Sequence, residues 1–188
     1  MERFRNRWAT TGSESIAKKP TRKRILFIGE AVSVSHVARP VVLAKWAKSA
    51  GYDVVFACGK AYSRVARTEG LNPEEIVTIS PELFYKRLSR GQFFYTEAEL
   101  KAYVEAEREL IARIKPDLVV GDFRLTLAIS TRLAGIPHLN LMNAHWSPGR
   151  ERRLPPPQSG IWGYMPSVVR NALFRLIEPI AFKQFGKP

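Results

Sequence analysis

A single cysteine, Cys58, in a chain of 188 residues excludes an internal disulfide and any zinc site built on cysteine pairs. It ends the apolar run Val54-Val55-Phe56-Ala57 and reads as a small core residue in a reducing compartment. Three scattered histidines are too few to argue for a metal. No apolar stretch reaches the ~20 residues that a membrane-spanning helix needs. The charged run from Lys18 to Arg24 ahead of an apolar stretch is not a secretory signal: it starts far from Met1, Glu30 interrupts the apolar stretch, and no clean small-residue cleavage site appears. A glycine-rich phosphate loop is missing as well, since Glu30-Ala31-Val32-Ser33 stands where G-x-G-x-x-G would come after the first strand. These absences point to a cytoplasmic protein that holds neither a metal nor, by a loop of that type, a dinucleotide cofactor.

Acidic residues are also in short supply, 17 against 30 lysines and arginines, for a net charge of +13. The excess is not spread evenly. Residues 1–24 contribute +6 and residues 147–188 contribute +5, which leaves only +2 for the 122 residues between them. A nearly neutral body without a basic, aromatic-studded face is a poor nucleic-acid binder. Basic ends beside apolar segments suit an anionic membrane surface better. Residues 1–22 read as a basic flexible tail, for which plain solvation is an equally good account.

The body alternates short apolar runs with helical patterns, and its hydrophobic content of 45% can form an ordinary core. The spacing predicts strands over 24–29, 53–58, 76–79, 118–122 and 138–143. Helices are expected over 37–50, with Val37, Val41, Ala44, Ala47 and Trp46 inward, over 61–69, 97–115 and 125–134, and from Pro81 up to an exposed loop over 88–95 that bears Phe93, Phe94 and Tyr95. Ser80-Pro81 and the Thr96/Glu99 capping box mark two of the helix starts, and Gly51 and Gly135 mark stops. This alternation predicts an α/β fold with a doubly wound parallel sheet, Rossmann-like, over residues 23–146. Residues 147–160, with Pro155-Pro156-Pro157, form a linker-like loop, and residues 161–188 an apolar, amphipathic helical segment that Pro179 is expected to kink or end.

His36 falls between the first strand and the first helix, and Asp122 ends another strand. Ligands of open α/β sheets bind at that strand edge. If the two strands are neighbours, the two side chains share one crevice, and a histidine oriented by an aspartate can take a proton from a hydroxyl. Two plainer readings stand beside this one: His36 as a loop residue without chemistry, and Asp122 as the cap of the next helix.

The run Ser35-His36-Val37-Ala38-Arg39-Pro40, then Leu43-Ala44 and Gly51-Tyr52-Asp53-Val54-Val55-Phe56-Ala57, resembles the opening of a GT-B glycosyltransferase. More narrowly, it resembles the UDP-glucuronosyltransferases, the macrolide glycosyltransferases and the glycosyltransferase family 28 enzymes with lipid acceptors. Lys115-Pro116-Asp117-Leu118-Val119-Val120-Gly121-Asp122 and Ala134-Gly135-Ile136-Pro137 are similar to the later part of the same N-terminal, acceptor-side domain. Ser35 stands where the family commonly has glycine, and the proline falls one position later than usual.

The resemblance implies a hexosyltransferase in which His36 is the general base and Asp122 holds its imidazole. It implies a nucleotide sugar, a UDP- or dTDP-sugar, as co-substrate and no cofactor. By their place at the end of the last strand, Asn143, His145 and Trp146 are expected to line the site of a small-molecule or lipid acceptor together with the loop aromatics Phe93, Phe94 and Tyr95, although Trp146 equally suits plain packing and the loop aromatics equally suit covering a sheet edge. Donor binding would fall to a second, C-terminal α/β domain or subunit not contained in these residues, so the chain alone is expected to be inactive. Peripheral contact of the 161–188 segment with the inner face of the membrane would suit a lipid acceptor; the other reading is that its apolar face packs on the sheet or on the second domain. Two other readings remain open: a non-catalytic acceptor-presenting or membrane-anchoring subunit of a split enzyme, and half of a sugar-nucleotide epimerase of the same fold.

Overall fold

Strands β1 (Arg24–Gly29), β2 (Asp53–Cys58), β3 (Glu74–Glu75), β4 (Leu118–Asp122) and β5 (His138–Leu141) pair in parallel in the spatial order β3-β2-β1-β4-β5. They belong to a computed structural model that describes residues 22–143, 156 and 160–183. Residues 1–21, most of the 147–160 loop, and His145 and Trp146 lie outside the described residues.

Helices α1 (Val34–Ser49), α2 (Ser63–Thr68), α3 (Pro81–Ser89), α4 (Glu97–Ile114) and α5 (Leu127–Ala134) connect or flank the strands, and α6 (Ser167–Lys183) comes after a short 3-10 turn, Gly160–Tyr164. Because side chains alternate along a strand, Ile25 and Phe27 pack with Val37, Val41, Ala44 and Ala66 of α1 and α2. Leu26 and Ile28 pack on the other face with Leu110, Ile111 and Ile114 of α4 and Leu127 of α5. Covering both faces explains why the central strands read as continuous apolar runs. The fold is the doubly wound α/β sheet anticipated above. Cys58 is buried in the first of these layers, and burial pushes its thiol up to about 11, which suits a packing role.

The structure departs from the pattern in five places. Helix α1 begins at Val34, so His36 lies in its first turn rather than in a loop. Trp46 is 72% exposed, because the inward stripe at Val37, Val41 and Ala44 turns it toward solvent. Residues 76–79 form no strand. Pairing stops at Glu75, and Ile76 and Ile79 are buried at a three-residue spacing that a flat strand would not bury on one face. Strand β5 ends at Leu141, two residues short of the expected Asn143, while helix α6 runs through Pro179 to Lys183, so the proline does not end it.

The order places β1 between β2 and β4, with Gly29 in register with Asp122. The connections leave in opposite directions at this point, which opens a crevice at the carboxyl ends of the two strands.

Candidate active site

Close approach of α1 to the end of β1 places the histidine. A Cβ on Gly29 would sit 2.9 Å from the His36 carbonyl oxygen and 3.1 Å from Val37 Cα, so only glycine lets the first turn of α1 lie against the strand. From there His36 Nδ1 is 2.8 Å from Asp122 Oδ1. Asp122 is fully buried and the His36 side chain is 14% exposed. An unprotonated Nδ1 would set two lone pairs against each other at that distance, so Nδ1 carries the hydrogen and donates to the carboxylate. In the neutral imidazole Nε2 then presents the lone pair, and it makes no hydrogen bond among the described residues. Asp122 does not cap α5, which begins at Leu127 after Thr126.

A third residue completes the cluster. Arg39 lies one turn beyond His36 on α1, so both face the crevice. Its Nη2 donates to Asp122 Oδ1 at 2.7 Å and passes 3.0 Å from His36 Nδ1, while Nη1 donates to Asn143 Oδ1 at 2.6 Å. One carboxylate oxygen thus accepts from both the imidazole and the guanidinium. The sequence pattern alone did not single out Arg39. Its signal was the i, i+3 spacing from His36, visible only once the helix is known to start at Val34.

Phe123 stacks on the imidazole, with ring centroids 4.5 Å apart and planes 15° from parallel. Phe84 and Phe94 pack around it at 5.9 and 6.2 Å. Below them, wholly out of solvent, Arg124 donates to Glu30 Oε2 at 2.9 Å and to Glu107 Oε1 at 2.7 Å. Tyr103 donates to Glu30 Oε1 at 3.0 Å, and Thr126 and Ser130 donate to Glu107.

Two acids around one base leave this buried cluster with excess negative charge. Burial pushes the Glu30 carboxyl up to about 7, against the opposing pull of Arg124. The ordinary value is 4.5, so between about 4.5 and 7 the folded chain holds a proton that the unfolded chain has released. Folding stability therefore falls as pH rises through that window. Glu30→Gln mimics the protonated acid, turning its oxygen to Arg124 and its amide to the Tyr103 hydroxyl. Thermal melts across the window should show a flatter pH dependence for the variant. An equally steep fall in both proteins would contradict this account.

The loop aromatics divide. Phe93 is 64% exposed, Phe94 is half-buried against Phe84 and Phe123, and Tyr95 is buried. Arg87 holds this loop by donating to the Phe94 carbonyl at 2.7 Å and to both Glu99 oxygens at 2.6 and 3.1 Å. The Arg87 hydrogen bonds hold the Glu99 carboxyl far down, at about 2. Phe93 lines an open, mostly apolar groove of about 480 Å³ with Leu100 and Val104 of α4 and Leu125 and Ile129 of the α5 region. Asn143 is exposed and engaged by Arg39.

No family model matches the chain. A PGL/p-HBAD biosynthesis rhamnosyltransferase of Mycobacterium bovis is 40% identical over 175 residues, 93% of this chain and 38% of that protein. A PGL/p-HBAD biosynthesis glycosyltransferase of Mycobacterium tuberculosis is 36% identical over 184 residues, 95% of this chain and 42% of that protein. The chain is related by sequence to glycosyltransferases.

Solved structures agree on the fold of this glycosyltransferase relative. A Streptomyces sp. SF2575 glycosyltransferase complexed with thymidine diphosphate superposes with a TM-score of 0.53 at 21% identity, over 67% of this chain and 40% of that one. A spinosyn forosaminyltransferase gives 0.50 at 20% identity, over 66% and 33%. The fold is that of one half of a GT-B glycosyltransferase. The chain spans between 38% and 50% of the length of the curated relatives it matches; one of these, from Mycobacterium bovis, is named an inactive PGL/p-HBAD biosynthesis glycosyltransferase.

Proposed function

We propose that this chain is the acceptor-binding half of a nucleotide-sugar-dependent hexosyltransferase with His36 as its general base. The observation that carries the reading is the 2.8 Å bond from His36 Nδ1 to buried Asp122, which leaves Nε2 to take a proton. An acceptor hydroxyl oxygen attacks the anomeric carbon, the bond from that carbon to the diphosphate breaks, and the hydroxyl proton passes to Nε2. The departing diphosphate needs no acid as strong as a poor leaving group would, so positioning and deprotonating the hydroxyl are the main requirements. Asp122 balances the imidazolium that forms, and Arg39, itself held by Asn143, fixes the carboxylate. The groove beside Phe93 suits the apolar part of a small-molecule or lipid acceptor.

A UDP- or dTDP-sugar is the proposed donor, held by a second domain or subunit. Residues 1–188 alone should therefore show no turnover and little or no affinity for sugar nucleotides. Calorimetric titration with UDP- and dTDP-sugars tests this division of labour, and tight stoichiometric binding would overturn it.

Peripheral docking on the inner face of an anionic membrane is part of the same proposal. No helix among the described residues is long and apolar enough to cross a membrane. Helix α6 nonetheless presents Val168, Val169, Leu176 and Ile177 to solvent, with Arg170 and Arg175 among them. Flotation with anionic vesicles at low salt should carry the protein upward, and deletion of residues 161–188 should release it. Flotation unaffected by that deletion would remove α6 from the proposal.

A further inference from the structure

We infer that buried Arg124 is a positioning residue for His36, acting through the backbone of Phe123. The inference rests on the proposed role of His36. Asp122, Phe123 and Arg124 are consecutive, yet their side chains go three different ways. The carboxylate meets the imidazole, the ring stacks beneath it, and the guanidinium turns into the interior. That division requires an unusual backbone. Phe123 has φ of 55°, and the other non-glycine residue with positive φ among the described residues is Lys115, which caps α4. A bulky side chain disfavours this conformation, so something must hold it.

The buried cluster is placed to do so. Arg124 is tied at Nε to Glu107 of α4 and at Nη1 to Glu30, the residue immediately after β1. Its guanidinium also lies 4.1 Å above the Tyr103 ring. The Glu30 backbone N–H donates to the Asp122 carbonyl at 3.2 Å, so the same cluster joins the ends of β1 and β4 under the crevice. With residue 124 fixed inside and residue 122 fixed in the strand, residue 123 must pass through positive φ. The proposed chemistry uses none of Glu30, Glu107 or Arg124, and such a charged cluster is weak evidence for stability on its own. Its service is geometric: it keeps Asp122 Oδ1 and the Phe123 ring in place around the imidazole.

The test reads the His36 Nδ1–H resonance of the full 188-residue chain by ¹⁵N-edited NMR, assigned through its loss in His36→Asn. Glycosyl transfer is not the readout, so failure here is distinguishable from failure of the general-base reading. Arg124→Met combined with Glu30→Gln and Glu107→Gln removes the charges together and strands none of them. In that variant the backbone amides of β1 and β4 should stay protected while the imidazole N–H exchanges with water at least about tenfold faster, the scale of one lost hydrogen bond to a charged group. A folded triple variant with unchanged exchange at His36 overturns the inference. If the triple variant does not fold, Phe123→Gly decides. Glycine accepts the positive φ with the cluster intact, so the resonance should persist, shifted by loss of the ring. Its disappearance would mean that stacking, and not Arg124, holds the histidine.

Discussion

Replacing His36 by alanine is expected to lower glycosyl transfer by roughly a hundred- to ten-thousand-fold, the usual contribution of a general base, in a protein that carries both halves. Donor affinity should be unchanged, because the proposal gives donor binding to the other half. The large effect comes from geometry: Nε2 is the one ring nitrogen left to accept a proton once Nδ1 is bound to Asp122. Asp122→Asn should cost less. The amide oxygen can still accept from Nδ1–H and from Arg39, so orientation survives in part, while the charge that balances the imidazolium is lost. Steady-state kinetics with separate determination of donor binding check both variants. Normal transfer by His36→Ala would end the general-base reading.

Arg124→Ala is expected to destabilise the chain by about 3–5 kcal/mol, the range found when one partner of a buried ion pair is removed. The substitution strands Glu30 and Glu107 without their cation and empties a site where the side chain is wholly out of solvent. Thr126 and Ser130 still serve Glu107, which keeps the loss at the scale of a broken pair. Urea unfolding monitored by circular dichroism measures it. A loss below about 1 kcal/mol, the scale of an exposed ion pair, would show that this cluster behaves as if solvated.

Much of the sheet was legible because its signals are local. Apolar runs of five or six residues, the Thr96/Glu99 box and the stop at Gly135 each depend on neighbours within a few positions. The capping box is present with both of its hydrogen bonds, 2.7 and 3.3 Å. The start of α1 was less legible: Ser33 makes no side-chain cap bond to the helix, and Val34 is half exposed. That small error hid Arg39, whose membership of the site depends on being one helical turn from His36. The two-residue β3 was misplaced because Glu74 and Glu75 carry no strand signal, whereas the apolar residues after them do.

What the sequence determined by itself was the alternation of strands and helices, the placement of Asp122 at a strand end and that of His36 between the first strand and the body of the first helix, because hydrophobic period and capping chemistry act over a few residues. Strand order is a different matter. Residues 36 and 122 meet across 86 positions only because β1 and β4 are neighbours, and no local pattern states that. The tertiary structure alone decided the buried cluster of Glu30, Arg124 and Glu107. Charged residues ordinarily lie in water, and these three leave it only because the fold brings opposite charges and hydroxyl donors together where water cannot reach. A trace was visible in Glu107, which occupies the buried stripe of α4 with Tyr103, Leu110 and Ile111, but its partner could be named only in three dimensions.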